Sequence, residues 1–152
     1  MTRVADLVAA ASAPFVTETV GRARIIVINR PNARNALTRQ MRRDFPALIQ
    51  AAESDSQIDA VILTGMDPAF SAGVDLKERA AGAEPLVKPN PAEVLRAARK
   101  PVIAAVNGAC VTGALEMALS CSFIIASTQA RFADTHAKVG LMPKWGQTAL
   151  LP

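Results

Sequence analysis

The sequence predicts an α/β fold, and three observations carry that expectation. Short apolar runs rich in β-branched residues recur at residues 23–29, 59–64, 102–106 and 123–126. Segments with helical spacing or helix-start chemistry lie between them. The runs are continuously apolar and do not alternate with polar residues, which is the pattern of strands covered on both faces in a parallel sheet.

The elements follow in chain order. Residues 1–20 read as a poorly ordered N-terminal extension and residues 21–152 as the core. The stretch Leu7 to Ala13 (LVAAASA) mimics a signal peptide, but it is short, Asp6 sits at its edge and a single Arg precedes it. Residues 23–29 (ARIIVIN), bounded by Gly21 and Pro31, predict the first strand. Leu37, Met41, Phe45, Leu48, Ile49 and Ala52 recur at helical spacing and predict an amphipathic helix over 37–53. Residues 59–64 (DAVILT) predict a second strand, closed by Gly65. Residues 80–90 (AAGAEPLVKPN) are rich in Ala, Pro and Gly and read as a mobile loop.

Asn90 as N-cap and Pro91 at the first helical position predict a helix over 91–99. Residues 102–106 (VIAAV) predict a third strand, opened by Pro101 and closed by the turn dipeptide Asn107-Gly108. A helix of small residues over 113–120 and a fourth strand at 123–126 follow. No internal sequence repeat is evident. The chain stops at Leu151-Pro152 without a closing element, which reads as a truncation.

Composition narrows the functional classes. A chain of 152 residues is one domain by size. With one Trp, no Tyr and five Phe, its core must be mainly aliphatic. No apolar run approaches the ~20 residues of a membrane span. Cys110 and Cys121 form no CxxC pair, and the single His belongs to no metal-ligand cluster, so no metal is expected. Both cysteines sit in apolar surroundings and read as buried thiols in a reducing cytoplasm. The net charge of +4 comes from scattered basic residues with no aromatic interleaving. That argues against nucleic acid and is compatible with a polyanionic small molecule.

Three segments can carry chemistry. Phe70-Ser71-Ala72-Gly73-Val74-Asp75-Leu76-Lys77 follows a strand, and its small residues let backbone approach a ligand. Asn107 to Glu116 (NGACVTGALE) runs from a strand through a glycine turn into a helix. The first N–H groups of such a helix are unpaired, Gly113 has no side chain to cover them, and Glu116 lies three residues on, on the same face. Phe132 to Pro143 (FADTHAKVGLMP) holds the only histidine, His136, two residues after Asp134 in a polar turn.

Together with Ile28 to Leu37 (INRPNARNAL), these blocks resemble the enoyl-coenzyme A hydratase/isomerase (crotonase) family, in the family's order, over about residues 20–152. The resemblance implies a spiral ββα superhelix, cut before the C-terminal helices that close the substrate tunnel and build a homotrimer or hexamer. It implies an acyl-coenzyme A substrate and no cofactor beyond the coenzyme A that the substrate carries. It implies reversible addition of water to a 2-enoyl-coenzyme A, as in the β-oxidation of fatty acids.

Carried over by position, the backbone N–H groups of Val74 and Gly113 form an oxyanion hole for a thioester enolate, and Glu116 is one catalytic carboxylate. Losing one such donor typically costs ~10²–10³ in rate. Asn32, Ala33 and Arg34, with Ala72, Gly73, Asp75, Leu76 and Lys77, would line the coenzyme A tunnel.

The chain departs from the family at position 136, where hydratases carry a second glutamate after a proline and this chain has Thr135-His136. Histidine can activate water or deliver a proton near neutral pH, with Asp134 to orient it. The departure leaves open an isomerase or a hydrolase. The abrupt end leaves open an inactive remnant or a coenzyme A-binding module.

Overall fold

The computed structural model describes residues 12–82 and 87–151. Strand β1 (Phe15–Val20) turns at Gly21 and pairs antiparallel with β2 (Ala23–Ile28). The expected N-terminal extension is therefore corrected at its C-terminal end. Phe15 is drawn into the sheet because its ring packs on Phe45, with centroids 6.0 Å apart. Residues 1–11 of that extension lie outside the described residues.

Two sheets follow from one repeated path. Strands β2, β3 (Ala60–Gly65), β5 (Val102–Val106) and β7 (Phe123–Ala126) run parallel, so the larger sheet has the order β1-β2-β3-β5-β7. Short strands β4 (Ala69–Ser71), β6 (Ala109–Val111) and β8 (Arg131–Ala133) form a second parallel sheet in that order. Each passage of the chain thus lays one strand in the large sheet and then one in the small sheet. The structure repeats where the sequence shows no repeat. The turns stack tightly: a Cβ on Gly108 would lie 2.3 Å from the carbonyl oxygen of Pro68, so only glycine fits there.

The helices fill the space between turns. Helix α1 (Arg39–Ser54) is opened by Thr38, whose hydroxyl accepts the Met41 N–H at 3.2 Å. It buries Met41, Phe45, Ile49 and Ala52, the apolar face read from the sequence. It starts two residues later than expected because Leu37 is held in a bridge to Val74. Helix α2 (Leu76–Ala80) is capped by Asp75. Helix α3 (Pro91–Ala97) has the expected Asn90 cap, completed by Glu93 as a reciprocal capping box. Helix α4 (Gly113–Leu119) is buried from Gly113 to Ala118, and α5 (Gln147–Leu150) packs against it. Of the loop expected over 80–90, residues 83–86 lie outside the described residues.

One expectation fails. The fourth apolar run is not covered on both faces: in β7, the edge strand of its sheet, Phe123 is 51% exposed and Ile125 58%, on the face opposite Ile124, which packs on the core. Among the described residues no element lies beyond it, no helix is long and apolar enough to cross a membrane, and no cluster of three potential metal ligands occurs.

Candidate active site

The loop after β4 is fixed by its neighbours. Asn35 is fully buried; its amide donates at 2.6 Å to the carbonyls of Met66 and Ala69 and accepts the Arg30 N–H at 2.9 Å. The Ser71 hydroxyl donates to the Asn35 carbonyl at 2.7 Å, and the Ala72 N–H donates to the Arg34 carbonyl at 2.9 Å. The Asn32-Ala33-Arg34 segment, a 3-10 turn ending in left-handed Arg34, therefore buttresses this loop.

Gly73 has φ +83°, and a Cβ there would lie 2.1 Å from the Thr112 hydroxyl oxygen and 3.0 Å from the Gly113 nitrogen. The two loops are in direct contact at that point. The Thr112 hydroxyl ties them, donating to the Ala72 carbonyl at 3.0 Å.

Both candidate donors are left available by this arrangement. The Leu37–Val74 bridge uses the Leu37 N–H to the Gly73 carbonyl (2.7 Å) and the Asp75 N–H to the Leu37 carbonyl (3.0 Å), so the Val74 N–H plays no part in it. Gly113 is the first residue of α4, where an N–H has no acceptor within the helix. Thr112 before it has φ 52° and ψ −126°, a costly conformation for a β-branched residue that sets the direction of the following peptide.

Val74, Leu76, Gly113, Glu116 and His136 line one cavity of about 270 Å³. Glu116 and His136 are buried and meet there, with His136 Nε2 3.4 Å from Glu116 Oε2. The other glutamate oxygen, Oε1, accepts the Trp145 N–H at 2.6 Å and the Gln147 N–H at 3.3 Å. The other ring nitrogen of His136, Nδ1, is 2.8 Å from Asp134 Oδ1, which also accepts the His136 backbone N–H at 3.0 Å. That backbone N–H, and then the ring, hold the Asp134 carboxyl below its ordinary value.

The other expected tunnel residues do not line this cavity. Asn32, Ala33 and Arg34 support the loop from behind. Ala72 and Gly73 meet Thr112, and Lys77 lies in the first turn of α2. Asp75 is used structurally: it caps α2 at the Lys77 and Glu78 N–H groups and pairs with Arg30 at 3.0 Å. Those contacts, set against desolvation, lower its carboxyl.

Arg42, Arg79, Leu141 and Met142, which no motif of the sequence marks, also line the cavity. So do Lys144 and Trp145, in the stretch after Pro143 where the chain departs from the family's glycine-rich pattern.

The chain resembles a crystal structure of an enoyl-CoA hydratase from Mycobacterium tuberculosis H37Rv, with a TM-score of 0.79 and 49% identity over 92% of this chain and 60% of that one. One from Mycobacterium avium gives 0.81 and 48%, over 92% and 58%. The fold is thus the crotonase fold. The family model described as "Enoyl-CoA hydratase/isomerase" matches residues 20–152. This chain belongs to the enoyl-CoA hydratase/isomerase family. A curated relative from Arabidopsis thaliana, "Probable enoyl-CoA hydratase 1, peroxisomal", is 38% identical over 134 residues, covering 86% of this chain and 51% of its own length. The chain spans about half the length of the curated relatives it matches.

Proposed function

We propose that this chain provides the reacting centre of an acyl-coenzyme A enzyme, nominally an enoyl-coenzyme A hydratase. The observation that supports it most is the meeting of Glu116 and His136 at 3.4 Å in the cavity lined by Val74 and Gly113. A thioester carbonyl oxygen accepts the Val74 and Gly113 N–H groups, which stabilise the charge that develops when the enolate forms. Oε1 of Glu116 is occupied by two backbone donors, so Oε2 is the oxygen free to exchange a proton. His136 replaces the second glutamate as its partner. One of the pair takes a proton from water as its oxygen bonds to the β-carbon, and the other delivers a proton to the α-carbon. Arg42, Arg79 and Lys144 around the cavity suit the phosphates of coenzyme A, which is part of the substrate. The two free, buried or half-buried thiols support a reducing compartment such as the cytoplasm.

Hydration of crotonyl-coenzyme A, followed by loss of the conjugated enoyl thioester absorbance, tests the reading. Turnover that is lost in both Glu116→Gln and His136→Ala is the expected result. Turnover that survives Glu116→Gln rules it out. A double-bond shift or free coenzyme A in the products would instead assign isomerase or hydrolase chemistry to the same site.

A further inference from the structure

Trp145 lines the cavity beside Gly113. Three atoms of its ring approach Gly113: a Cβ built there would lie 3.0 Å from Cζ3, 3.3 Å from Cε3 and 3.5 Å from Cη2. The ring therefore rests on the residue that supplies one of the two donors. Its own backbone N–H holds Glu116 at 2.6 Å. Trp145 thus touches Gly113 with its ring and Glu116 with its backbone, and it lines the cavity that both share.

The Trp145 backbone from which the ring projects is held on both sides. The Trp145 carbonyl accepts Arg96 Nη1 at 2.7 Å, and the same nitrogen donates to the Ser120 hydroxyl at 2.8 Å. Gly146, next in the chain, has φ +120°, and a Cβ there would lie 3.0 Å from Arg96 Nη1, so the turn after the ring is equally constrained. The cavity of about 270 Å³ lies just below the roughly 300–1,000 Å³ of pockets that enclose a whole drug-sized ligand. That is room for the reacting end of a substrate.

Resting on the acyl-coenzyme A reading above, we propose that Trp145 sets the acyl-chain length, restricting this site to short acyl groups. With the carbonyl oxygen on the Val74 and Gly113 N–H groups and the α- and β-carbons at Glu116 and His136, the next carbons meet the indole. Arg96 acts through Trp145 as a positioning residue.

The single tryptophan of the chain is also the reporter. Its fluorescence is titrated with butyryl-coenzyme A and with decanoyl-coenzyme A, and calorimetry repeats both titrations on the wild type, Trp145→Phe and Trp145→Ala. In an open apolar tunnel each added methylene strengthens binding about fourfold. Here decanoyl-coenzyme A is expected to bind at least about tenfold more weakly than the butyryl thioester. The gap should narrow in Trp145→Phe and close or reverse in Trp145→Ala. Where Trp145→Ala does not fold, as judged by circular dichroism, the narrowing in Trp145→Phe and Trp145→Leu decides.

Decanoyl binding equal to or tighter than butyryl binding in the wild type overturns the proposal, as does a gap that no Trp145 variant narrows. Selective butyryl binding without any hydration of crotonyl-coenzyme A keeps the length limit and removes the hydratase reading. Failure to bind either thioester removes both.

Discussion

His136 Nε2 lies 3.4 Å from Glu116 Oε2 although the two residues are twenty positions apart in the chain and sit on different turns of the spiral. The remaining polar atom on each side is already engaged, Oε1 by the Trp145 and Gln147 N–H groups and Nδ1 by Asp134. On the proposed reading the pair acts as one unit, and removing either member should disable it. Glu116→Gln and His136→Ala should each lower kcat for hydration by about 10²–10⁴, the usual contribution of general acid–base catalysis, with KM little changed. The double variant should be no worse than about the poorer single one. Steady-state kinetics on the four proteins check this, and additive losses in the double variant would show two independent groups.

Asp134 orients the histidine from an exposed position. Asp134→Asn keeps the shape and removes a charge-assisted hydrogen bond to the ring, so kcat should fall by roughly tenfold while acyl-coenzyme A affinity stays near wild type. Asp134→Glu should recover part of the loss.

The same carboxylate makes stability depend on pH with a definite sign. Its folded pKa is depressed, first by the His136 backbone N–H and then by the ring. The contribution is fully present above the unfolded value of about 3.9 and is lost as pH falls through the lower folded value. Thermal melts of wild type and Asp134→Asn should therefore differ at neutral pH and converge in acid below that folded value. A difference that grows on acidification would contradict the assignment.

Gly73 and Gly113 should respond differently to alanine. At Gly73 the new Cβ meets the Thr112 hydroxyl at 2.1 Å and the backbone has φ +83°, so Gly73→Ala should cost about 1–3 kcal/mol or more in unfolding free energy. At Gly113 the first contact is a Trp145 ring carbon at 3.0 Å, and the ring has to shift. Gly113→Ala should retain most of its stability and lose activity, toward the ~10²–10³ of a removed oxyanion donor. Denaturant unfolding and kcat/KM, measured on both, separate the two effects.

Cys110 and Cys121 should be inert in the folded protein. Burial pushes both thiols up to about 12, with the neighbouring Cys121 adding to the shift of Cys110. Reaction with a thiol-exchange reagent at mildly alkaline pH should be slow in the native state and complete for both after denaturation. Rapid native labelling of either would show that its pocket opens.

The class of the fold, the limits of most main strands and helices, and the identity of the chemical groups were legible in the residues alone. Continuous β-branched runs and a 3.6-residue apolar period are local properties, so 102–106, 123–126 and the cap at Asn90 could be read directly. Strand β1 and the small sheet could not. Their strands are held by neighbours distant in the chain, Phe15–Val20 by β2 and the Phe45 ring, and β4, β6 and β8 by one another, while three residues carry too little pattern to mark a strand. The exposure of β7 was likewise a matter of what lies beside it.

At the site, resemblance to the family named Val74, Gly113 and Glu116 and marked His136 as the residue out of pattern. It took the folded arrangement to show that His136 turns one nitrogen to Asp134 and the other to Glu116, that Asp75 is spent on a helix cap and an ion pair, and that Trp145 lines the cavity beside Gly113. Those relations depend on how successive turns of the spiral stack, and stacking is set by packing between residues that the sequence keeps far apart.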